Sequence, residues 1–409
     1  MYKSSGSRRP FSGGNRNGAG RGHSFNKFRS GRGRRSGNNS SRGSVINNER
    51  YINKAESVEF SEYKPVNRFI DFNLDERLLE NIVRKGYTAP MAIQDQAIGP
   101  IMAGKDLLGI ANTGMGKTAA FLIPLINKMV NDQKQKVLVI TPTRELAEQI
   151  ETEFINLARG LRLNSVLVIG GASINKQSWL LRKQWNLVVG TPGRLKDLLK
   201  RNILNLISVN NLVLDEVDRM FDMGFAQDVS ALLEALAPQR QSLFFSATLA
   251  KREEELVMRN SNNPVKISVR IRDTAASVDQ NIVKVNGDKP KIEVLHDILI
   301  TEDVKKTLIF ARTKYGVEKL SVELQRRGFK ADAIHGNKSQ YQRQRVLSRF
   351  KEDRISILVA TDVAARGLDI PNVTHVINYE VPENYEDYID RIGRTGRANN
   401  IGKALTFVN

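Results

Sequence analysis

Residues 111–118 read Ala-Asn-Thr-Gly-Met-Gly-Lys-Thr, and the segments around them restrict what the chain can fold into. An apolar run over residues 107–110 precedes them, and the pattern from Lys117 to Val130 predicts a helix. A glycine-rich loop between a buried strand and a helix directs its backbone N–H groups toward phosphate oxygens. Its glycines let the backbone approach a phosphate closely because they lack a Cβ atom. The sequence therefore predicts an α/β fold that binds a nucleoside triphosphate.

The loop lysine and the hydroxyl after it are expected to have separate functions. Lys117 would reach the β- and γ-phosphates, and the Thr118 hydroxyl would hold Mg²⁺. Asp215 and Glu216 follow a second apolar run, residues 212–214, as in a strand that carries a metal-binding carboxylate. We expect Asp215 to hold Mg²⁺ directly or through water, and Glu216 to orient or deprotonate the attacking water. The predicted contacts of the loop with the nucleotide are Ala111, Asn112, Thr113, Gly114, Met115, Gly116, Lys117 and Thr118.

Cysteine and histidine usage excludes several classes of protein. The chain has no cysteine and four histidines, which argues against a disulfide framework, thiolate catalysis and the usual structural zinc sites. No apolar run is long enough to span a membrane, and no signal-peptide core follows Met1. The sequence therefore predicts a cytoplasmic protein without a membrane partner.

The positive charge is concentrated at the N-terminus. The formal net charge is +19, and residues 1–50 contain twelve Lys or Arg against one acid, Glu49. Few apolar side chains are present to offset the entropy of ordering, so residues 1–65 are predicted to be a disordered basic tail. Arginines beside glycines, with Phe11, Phe25 and Phe28 among them, suit binding to a nucleic acid through charge and stacking. The alternative is a tail that only improves solubility.

Beyond residue 66 the chain alternates short apolar runs with amphipathic segments. This alternation predicts two α/β domains with doubly wound parallel sheets. Their boundaries are predicted as a first domain over 66–269, a linker over 270–279 and a second domain over 280–409, with a polar stretch over 260–279. The predicted strands are Val137–Ile140, Val166–Ile169, Leu187–Gly190, Leu212–Leu214, Leu243–Phe245, Thr307–Phe310, Lys330–Ile334, Ile357–Ala360 and Val373–Asn378.

A basic loop near the end of the chain contains Arg391, Arg394 and Arg397, with glycines between them. It belongs to the block that lacks the phosphate-binding loop. Its arginines would reach the γ-phosphate only if the two domains close, which would make them arginine fingers. A basic surface loop without catalytic function is the alternative from these residues alone.

Taken together, these motifs resemble those of the DEAD-box ATP-dependent RNA helicases of superfamily 2, in the family's order from about Phe69 to Phe407. The resemblance implies two RecA-like domains, with ATP and Mg²⁺ as cofactors. Gln94 would hydrogen-bond the adenine edge, and Phe69 would stack on the ring. Asp369 would contact the ribose when the domains close, and Arg394 and Arg397 match the arginine fingers. Residues that would couple hydrolysis to unwinding are Asp218, Ser246, Thr248 and Asp390.

The resemblance also implies contacts with the RNA backbone in both domains. Members of the family bind sugars and phosphates and not base edges, so little sequence preference is expected. The matching positions are Pro142, Thr143, Arg144, Gly171, Thr191, Gly193 and Arg194 in the first domain, and Arg312, Gly336, Gln340, Arg343, Thr361 and Arg366 in the second.

Three positions depart from the family pattern. Val217 replaces the alanine that gives the family its name, so the acidic motif reads Asp-Glu-Val-Asp, and Met91 replaces a threonine of the adenine-reading motif. Asp390 replaces a histidine that connects the second domain to the Asp218 region. Two carboxylates there would repel each other unless one is protonated or an arginine lies between them. The coupling step is therefore expected to be altered.

The sequence thus predicts RNA-stimulated ATP hydrolysis coupled to domain closure and local unwinding of an RNA duplex. An ATP-dependent RNA clamp or assembly scaffold that unwinds little remains the alternative, because it needs the same residues. A translocase on double-stranded DNA is a further alternative, which the adenine-reading motif and the absence of long insertions disfavour.

Overall fold

The computed structural model describes residues 51–53, 63–112, 114–269, 278–285, 287, 289–301, 304–365, 370, 372–396 and 402–408. These residues form two α/β domains, each built on one parallel sheet. The first sheet contains β1 (Leu107–Ala111), β2 (Val137–Ile140), β3 (Ser165–Val168), β4 (Leu187–Gly190), β5 (Asn211–Asp215), β6 (Gln241–Ser246) and β7 (Val265–Val269). The second contains β8 (Val278–Lys284), β9 (Thr307–Phe310), β10 (Ala331–Ile334), β11 (Ile357–Ala360), β12 (His375–Asn378) and β13 (Gly402–Val408).

Helices alternate with the strands in both domains. In the first domain a 3₁₀ helix at Phe69–Phe72 is followed by α1 (Glu76–Arg84), α2 (Ala92–Met102), α3 (Lys117–Asn131), α4 (Arg144–Leu157), α5 (Ile174–Leu181), α6 (Pro192–Lys200), α7 (Val217–Asp222), α8 (Ala226–Glu234) and α9 (Lys251–Arg259). In the second domain the helices are α10 (Lys291–Leu299), α11 (Lys314–Arg326), α12 (Gln340–Lys351), α13 (Asp362–Ala365) and α14 (Tyr385–Ile392).

The strand order in the first sheet is β3-β4-β2-β5-β6-β1-β7, and in the second it is β10-β11-β9-β12-β13-β8. All strand pairs of the described residues within these sheets are parallel. Successive residues of the inner strands enter different cores, as Leu107 and Leu108 do on the two faces of β1. Burial on both faces explains why these strands are continuous apolar runs in the sequence. The predicted pair of doubly wound parallel sheets is confirmed.

Two segments differ from the prediction. The stretch over 260–279, interpreted as polar, contains β7, and β8 begins at Val278, within the predicted linker. Both are edge strands, and Ile267 is the buried residue of β7. β7 alternates Val265, Ile267 and Val269 with two polar residues, so it carries a period-2 pattern, which the prediction missed because the stretch around it is mostly polar.

The predicted tail also extends too far toward the first domain. Its residues 1–50 lie outside the described part of the chain. Tyr51, however, is fully buried against the second domain, and the Tyr63 hydroxyl donates a hydrogen bond of 2.7 Å to Asp95 in the first domain. An aromatic residue that finds a pocket offsets the entropy of ordering its neighbours, and tail composition alone does not reveal this.

Candidate active site and nucleic-acid interface

The phosphate-binding loop connects β1 to α3, as the sequence predicted. Gly114 and Gly116 have φ angles of 87° and 81°, a region that favours glycine. Lys117 is the first residue of α3, is buried, and donates a hydrogen bond of 2.9 Å from Nζ to the backbone oxygen of Ala111. This contact folds the lysine back over the loop, so its ammonium lies where the loop closes around a phosphate.

Gln94 contacts this loop directly. Its Nε2 donates to the backbone oxygen of Gly116 at 3.1 Å, and its Oε1 accepts from the backbone N–H of Met91 at 2.9 Å. A side-chain amide has two donor hydrogens and two acceptor lone pairs, so one of each remains to read an adenine edge. Phe69 is buried and lies beside the Tyr87 ring, with the two centroids 6.4 Å apart and the planes at 25°. Gln94, predicted to read adenine, therefore lies next to the predicted phosphate-binding loop.

Asp215 and Glu216 lie at the carboxyl end of β5. Both are buried, and burial raises the pKa of Asp215 to about 7, although the Lys117 charge acts in the opposite direction. Glu216 has φ 56° and ψ 54°, a left-handed conformation that is uncommon for a residue with a Cβ atom. Such a conformation is costly by roughly 1–3 kcal/mol and is often found where a side chain must point into a site.

The two predicted magnesium ligands are oxygen donors and would suit Mg²⁺. They are the Asp215 carboxylate and the Thr118 hydroxyl, and hard oxygen ligands are those that Mg²⁺ prefers. A buried carboxylate whose ionisation is penalised by desolvation gains from a neighbouring dication, and Mg²⁺ usually takes one or two protein ligands besides water and phosphate oxygens. No group of three or more acidic, histidine or cysteine side chains is placed to form a metal site among the described residues.

Asp218 joins the acidic motif to the end of β6. Its Oδ2 accepts hydrogen bonds from the backbone N–H of Ala247 at 3.1 Å and of Thr248 at 2.9 Å, and from the Thr248 hydroxyl at 3.1 Å. The Ser246 hydroxyl in turn accepts from the backbone N–H of Asp218 at 3.2 Å. A movement of the acidic motif would therefore be transmitted to residues 246–248 through four hydrogen bonds.

Arg219 connects the acidic motif to the second domain. Its Nη1 donates to both carboxylate oxygens of Glu216, at 3.2 and 3.0 Å, and its Nη2 lies 3.6 Å from Oδ2 of Asp390. Burial lowers the pKa of Arg219, but the carboxylates of Glu216, Asp390 and Asp218 together raise it above the usual value. The sequence left open whether a protonated carboxylate or an arginine relieves the repulsion at Asp390. In this structure the Arg219 guanidinium lies beside Asp390, so the repulsion is relieved by an arginine.

The basic loop begins at the end of α14. Arg391 is buried and holds Asp362 with two hydrogen bonds of 2.5 and 2.8 Å, and its guanidinium lies 5.0 Å from the Phe310 ring centroid. This arginine therefore supports the second domain internally. Arg394, the first predicted finger, is also buried and donates from Nε to the backbone oxygen of Asp390 at 3.3 Å.

The sheet topology sorts the predicted site residues into two groups. In the first domain the predicted RNA contacts follow the neighbouring strands β2, β3 and β4, whereas the nucleotide and coupling residues follow or end β1, β5 and β6. In the second domain the predicted RNA contacts follow β9, β10 and β11, which are also neighbours. Parallel strands place all these residues at the carboxyl edge, where open α/β sheets bind ligands.

Two first-domain RNA motifs contact each other. A Cβ atom at Gly171 would lie 2.6 Å from Nη1 of Arg144, so the guanidinium lies directly against this glycine. Arg194 donates from Nη1 to the backbone oxygen of Ala172 at 3.1 Å. Thr143 and Thr191 are the N-cap residues of α4 and α6. The remaining positions of this group, at the ends of β2 and β4 and at the strand ends of the second domain, are Pro142, Gly193, Arg312, Gly336 and Thr361.

Gln340 and Arg343 contact the first domain. Gln340 donates from Nε2 to Glu148 at 3.0 Å, and Nε of Arg343 lies 3.0 Å from Oε1 of the buried Glu145. Both glutamates are on α4, which begins at the RNA motif Arg144. These interdomain contacts were not anticipated, because nothing in the sequence indicates that α4 faces α12.

Four predicted site residues lie outside the described residues: Thr113, Arg366, Asp369 and Arg397. Three functional candidates were not found from the sequence, namely Arg219, Glu145 and Tyr51. Arg219 directly follows the acidic motif, but no spacing rule distinguishes it from a solvated arginine. Its role becomes visible only through its two carboxylate partners.

Comparisons with known proteins agree with the geometry. The sequence matches the DEAD/DEAH box helicase family over residues 91–256 and the helicase conserved C-terminal domain over residues 290–399. It is 44% identical over 345 residues to the ATP-dependent RNA helicase CshA of Listeria monocytogenes, covering 83% of this chain and 66% of that protein. It is 40% identical over 341 residues to the DEAD-box ATP-dependent RNA helicase RhpA of Helicobacter pylori, covering 83% of this chain and 69% of that protein.

Solved structures show the same two-domain fold. Dbp5 of Saccharomyces cerevisiae, bound to RNA and ADP BeF3, is 28% identical with a TM-score of 0.73, covering 84% of this chain and 89% of that chain. A DEAD box protein from Methanococcus jannaschii is 39% identical with a TM-score of 0.50, covering 84% of this chain and 93% of that chain. No helix among the described residues is long and apolar enough to cross a membrane. The chain belongs to the DEAD-box family of ATP-dependent RNA helicases, with two RecA-like domains.

Proposed function

We propose that Lys117 and the loop over 111–118 bind the phosphates of ATP, and that Gln94 and Phe69 bind its adenine. The contact between Gln94 and the Gly116 carbonyl supports this assignment, because one side chain joins the adenine and phosphate regions. Thr118 and Asp215 hold Mg²⁺, which neutralises charge on the β- and γ-phosphate oxygens. The acidic motif with Val217 serves as the family's motif, since the buried Val217 side chain packs in the apolar core.

Glu216 is the proposed base that orients or deprotonates the attacking water. Arg394 and Arg397 complete the site from the second domain when it closes, and Asp369 contacts the ribose. The observation that carries this proposal is the Arg219 bridge, which joins Glu216 to Asp390 on α14. This helix leads into the part of the basic loop that contains Arg394 and Arg397, here called the arginine loop. The contact between Arg219 and Asp390 supports the proposal because it brings the helix before the basic loop to the acidic motif.

The RNA backbone binds along the carboxyl edges of β2, β3 and β4 in the first domain and of β9, β10 and β11 in the second, and Arg366 is a further proposed RNA contact. RNA and ATP both favour the closed arrangement, so each tightens the binding of the other. We propose a first domain over 66–269 and a second that begins with β8 at Val278, two residues before the predicted boundary at 280, and runs to 409; the working location is the cytoplasm.

A clamp that closes on RNA but unwinds little is a second candidate function. Asp390 favours it, because the contact across the cleft is made here by a half-exposed carboxylate at 3.6 Å and not by a histidine. A strand-displacement assay separates the two functions: a helicase releases strands in proportion to ATP hydrolysed, whereas a clamp hydrolyses ATP and releases few.

Two variants test the nucleotide assignments. Glu216→Gln should keep ATP and RNA binding and lose hydrolysis, since it removes a base and not a metal ligand. Lys117→Ala should lose ATP affinity or turnover, because the phosphate charge is left without its cation. Turnover near the wild-type rate in Glu216→Gln would show that another group activates the water.

A further inference from the structure

Tyr51 occupies a pocket on the second domain. It is fully buried in a cluster with Val278, Tyr388, Ile392 and Ala404. Its ring meets the Tyr388 ring edge to face, with the centroids 4.7 Å apart and the planes at 70°. Buried aromatic pairs of this geometry contribute beyond their buried area. The segment around Tyr51 is therefore held on the second domain, although the sequence places it beside the basic tail.

Backbone hydrogen bonds fix the same segment. Asn53 and Gln280 form an antiparallel bridge in which Asn53 N donates at 3.1 Å and Gln280 N donates at 2.7 Å. Gln280 belongs to β8, the edge strand of the second sheet. Its side-chain Oε1 also accepts a hydrogen bond of 2.9 Å from the Tyr388 hydroxyl. The segment thus covers part of a sheet edge and meets the Tyr388 ring in the same place.

The pocket lies next to the arginine loop in two ways. Tyr388 and Ile392 are four residues apart on α14 and share one face of the helix, and the loop starts directly after Ile392. Ala404, on β13, follows the loop on its other side. Asp390 on α14 reaches Arg219 in the first domain. Helix α14 therefore contacts Tyr51 through Tyr388 and Ile392, and it contacts the first domain through Asp390.

We propose that Tyr51 is a positioning residue for the arginine loop, acting through Tyr388, Ile392 and Ala404. This rests on the proposed role of Arg394 and Arg397 as fingers. Without the tyrosine ring, Tyr388, Ile392 and Ala404 would border a cavity beside the start of the loop. A shift of about 1 Å in a group that acts on the reacting atoms is enough to lower turnover by roughly 10²-fold.

The structure provides a matched pair of variants. The Tyr51 hydroxyl is buried and has no hydrogen-bond partner among the described residues, so Tyr51→Phe keeps the ring and removes only an unsatisfied group. Tyr51→Ala removes the ring. In the full chain, Tyr51→Ala should lower turnover at saturating RNA and ATP by roughly tenfold or more. ATP affinity without RNA should be unchanged, and Tyr51→Phe should match the wild type.

Hydrogen exchange gives a readout that does not depend on activity. Tyr51→Ala should speed hydrogen exchange of the backbone amides over 385–396 and leave exchange in α3 unchanged. Tyr51→Phe should exchange like the wild type in both segments. If Tyr51→Ala does not fold, truncations that remove residues 1–48 and 1–53 make the same comparison, since they differ only in residues 49–53. The longer truncation should show both effects and the shorter neither.

Arg397→Ala separates the two proposals. If Arg397→Ala keeps normal turnover, the finger assignment fails, whereas exchange over 385–396 still decides whether Tyr51 holds α14. A different result would overturn the positioning role of Tyr51 alone. In that case Arg397→Ala loses turnover, whereas Tyr51→Ala and the longer truncation keep normal turnover and slow exchange over 385–396. Equal losses in Tyr51→Phe and Tyr51→Ala would also overturn it, because the ring would then not be the cause.

Discussion

Glu216 and Asp390 belong to different domains, yet the guanidinium of Arg219 contacts both. Arginine suits this position because its planar donors can serve two carboxylates at once. The contact with Glu216 is buried, whereas Asp390 is 46% exposed, so the two halves of the bridge differ in strength. We expect the buried half to orient Glu216 and the exposed half to report domain closure.

The ion pair between Arg219 and Asp390 is more easily tested than the contact between Arg219 and Glu216. Asp390→Asn should reduce unwinding per ATP only a few-fold, since an exposed ion pair contributes about 1 kcal/mol or less. Asp390→His should not restore the family's behaviour, because the imidazole would face the Arg219 cation and not a carboxylate. Strands displaced per ATP hydrolysed measure both effects. A large gain in this ratio for Asp390→His would show that Arg219 moves away during the cycle.

A double-mutant cycle tests whether Asp390 acts through Arg219. Arg219→Gln, Asp390→Asn and the double variant should be non-additive in RNA-stimulated turnover if the pair acts as a unit. Additive losses would mean that Asp390 acts through a group other than Arg219.

At the scale of elements, the phosphate-binding loop is shaped by its neighbour α2. A Cβ atom at Gly116 would lie 2.4 Å from Nε2 of Gln94 and 2.7 Å from Sδ of Met91. The loop and the adenine-reading helix are therefore packed too closely for any side chain at this position. Met91, one of the departures from the family pattern, contributes to this packing.

Gly116→Ala should weaken ATP binding strongly, because it displaces Gln94 and imposes a left-handed φ of 81° on alanine. Gly104→Ala is the matched control: its φ is 77°, but a Cβ atom there meets nothing within 4 Å. The control should lose only about 1–2 kcal/mol of stability from backbone strain and keep its ATP affinity. Titration of ATP and thermal unfolding of both variants measure this, and equal ATP affinities would contradict the packing argument.

At the scale of the whole molecule, the two domains contact each other through α4 and α12, beside the positions proposed to bind RNA. Arg343 and Glu145 form an ion pair in which both side chains are largely buried. Removing one partner of such a pair leaves the other charge uncompensated, at a cost of roughly 3–5 kcal/mol. The pair therefore stabilises the contact between α4 and α12.

Either single change, Arg343→Glu or Glu145→Arg, should raise the RNA concentration needed for half-maximal ATPase activity by at least tenfold. The double swap should recover part of this loss, because the ion pair is rebuilt in reverse. ATPase titrations with RNA provide the measurement. If the double swap is as weak as the sum of the single changes, these residues act on RNA alone.

The basic tail adds charge to a core that binds a short stretch of backbone. Removing residues 1–48 leaves Tyr51 in place and should weaken RNA binding mainly through electrostatics. For each lost phosphate contact, the slope of log RNA affinity against log salt concentration should become shallower by about 0.7. Four or five lost contacts would therefore reduce this slope by about 3. Turnover at saturating RNA should stay near normal. Equal slopes for the two proteins would leave the tail with a role in solubility.

The sequence by itself determined the two parallel sheets, the place of the phosphate-binding loop and the positions of Asp215 and Glu216. These are local patterns: strands buried on both faces are continuous apolar runs, and a phosphate-binding loop needs glycines at fixed spacing. The prediction missed β7 because the short alternating run of Val265, Ile267 and Val269 stands within a mostly polar stretch of the sequence.

Only the tertiary structure decided which site residues are neighbours. Strand order differs from chain order, so residues that are far apart in the sequence meet in one sheet, as β1 does with β6 and β7. The Arg219 bridge, the Arg343–Glu145 pair and the Tyr51 pocket each join segments more than a hundred residues apart. Their free energy comes from burial and from charges brought together on folding, and neither is encoded in the residues next to them in the chain.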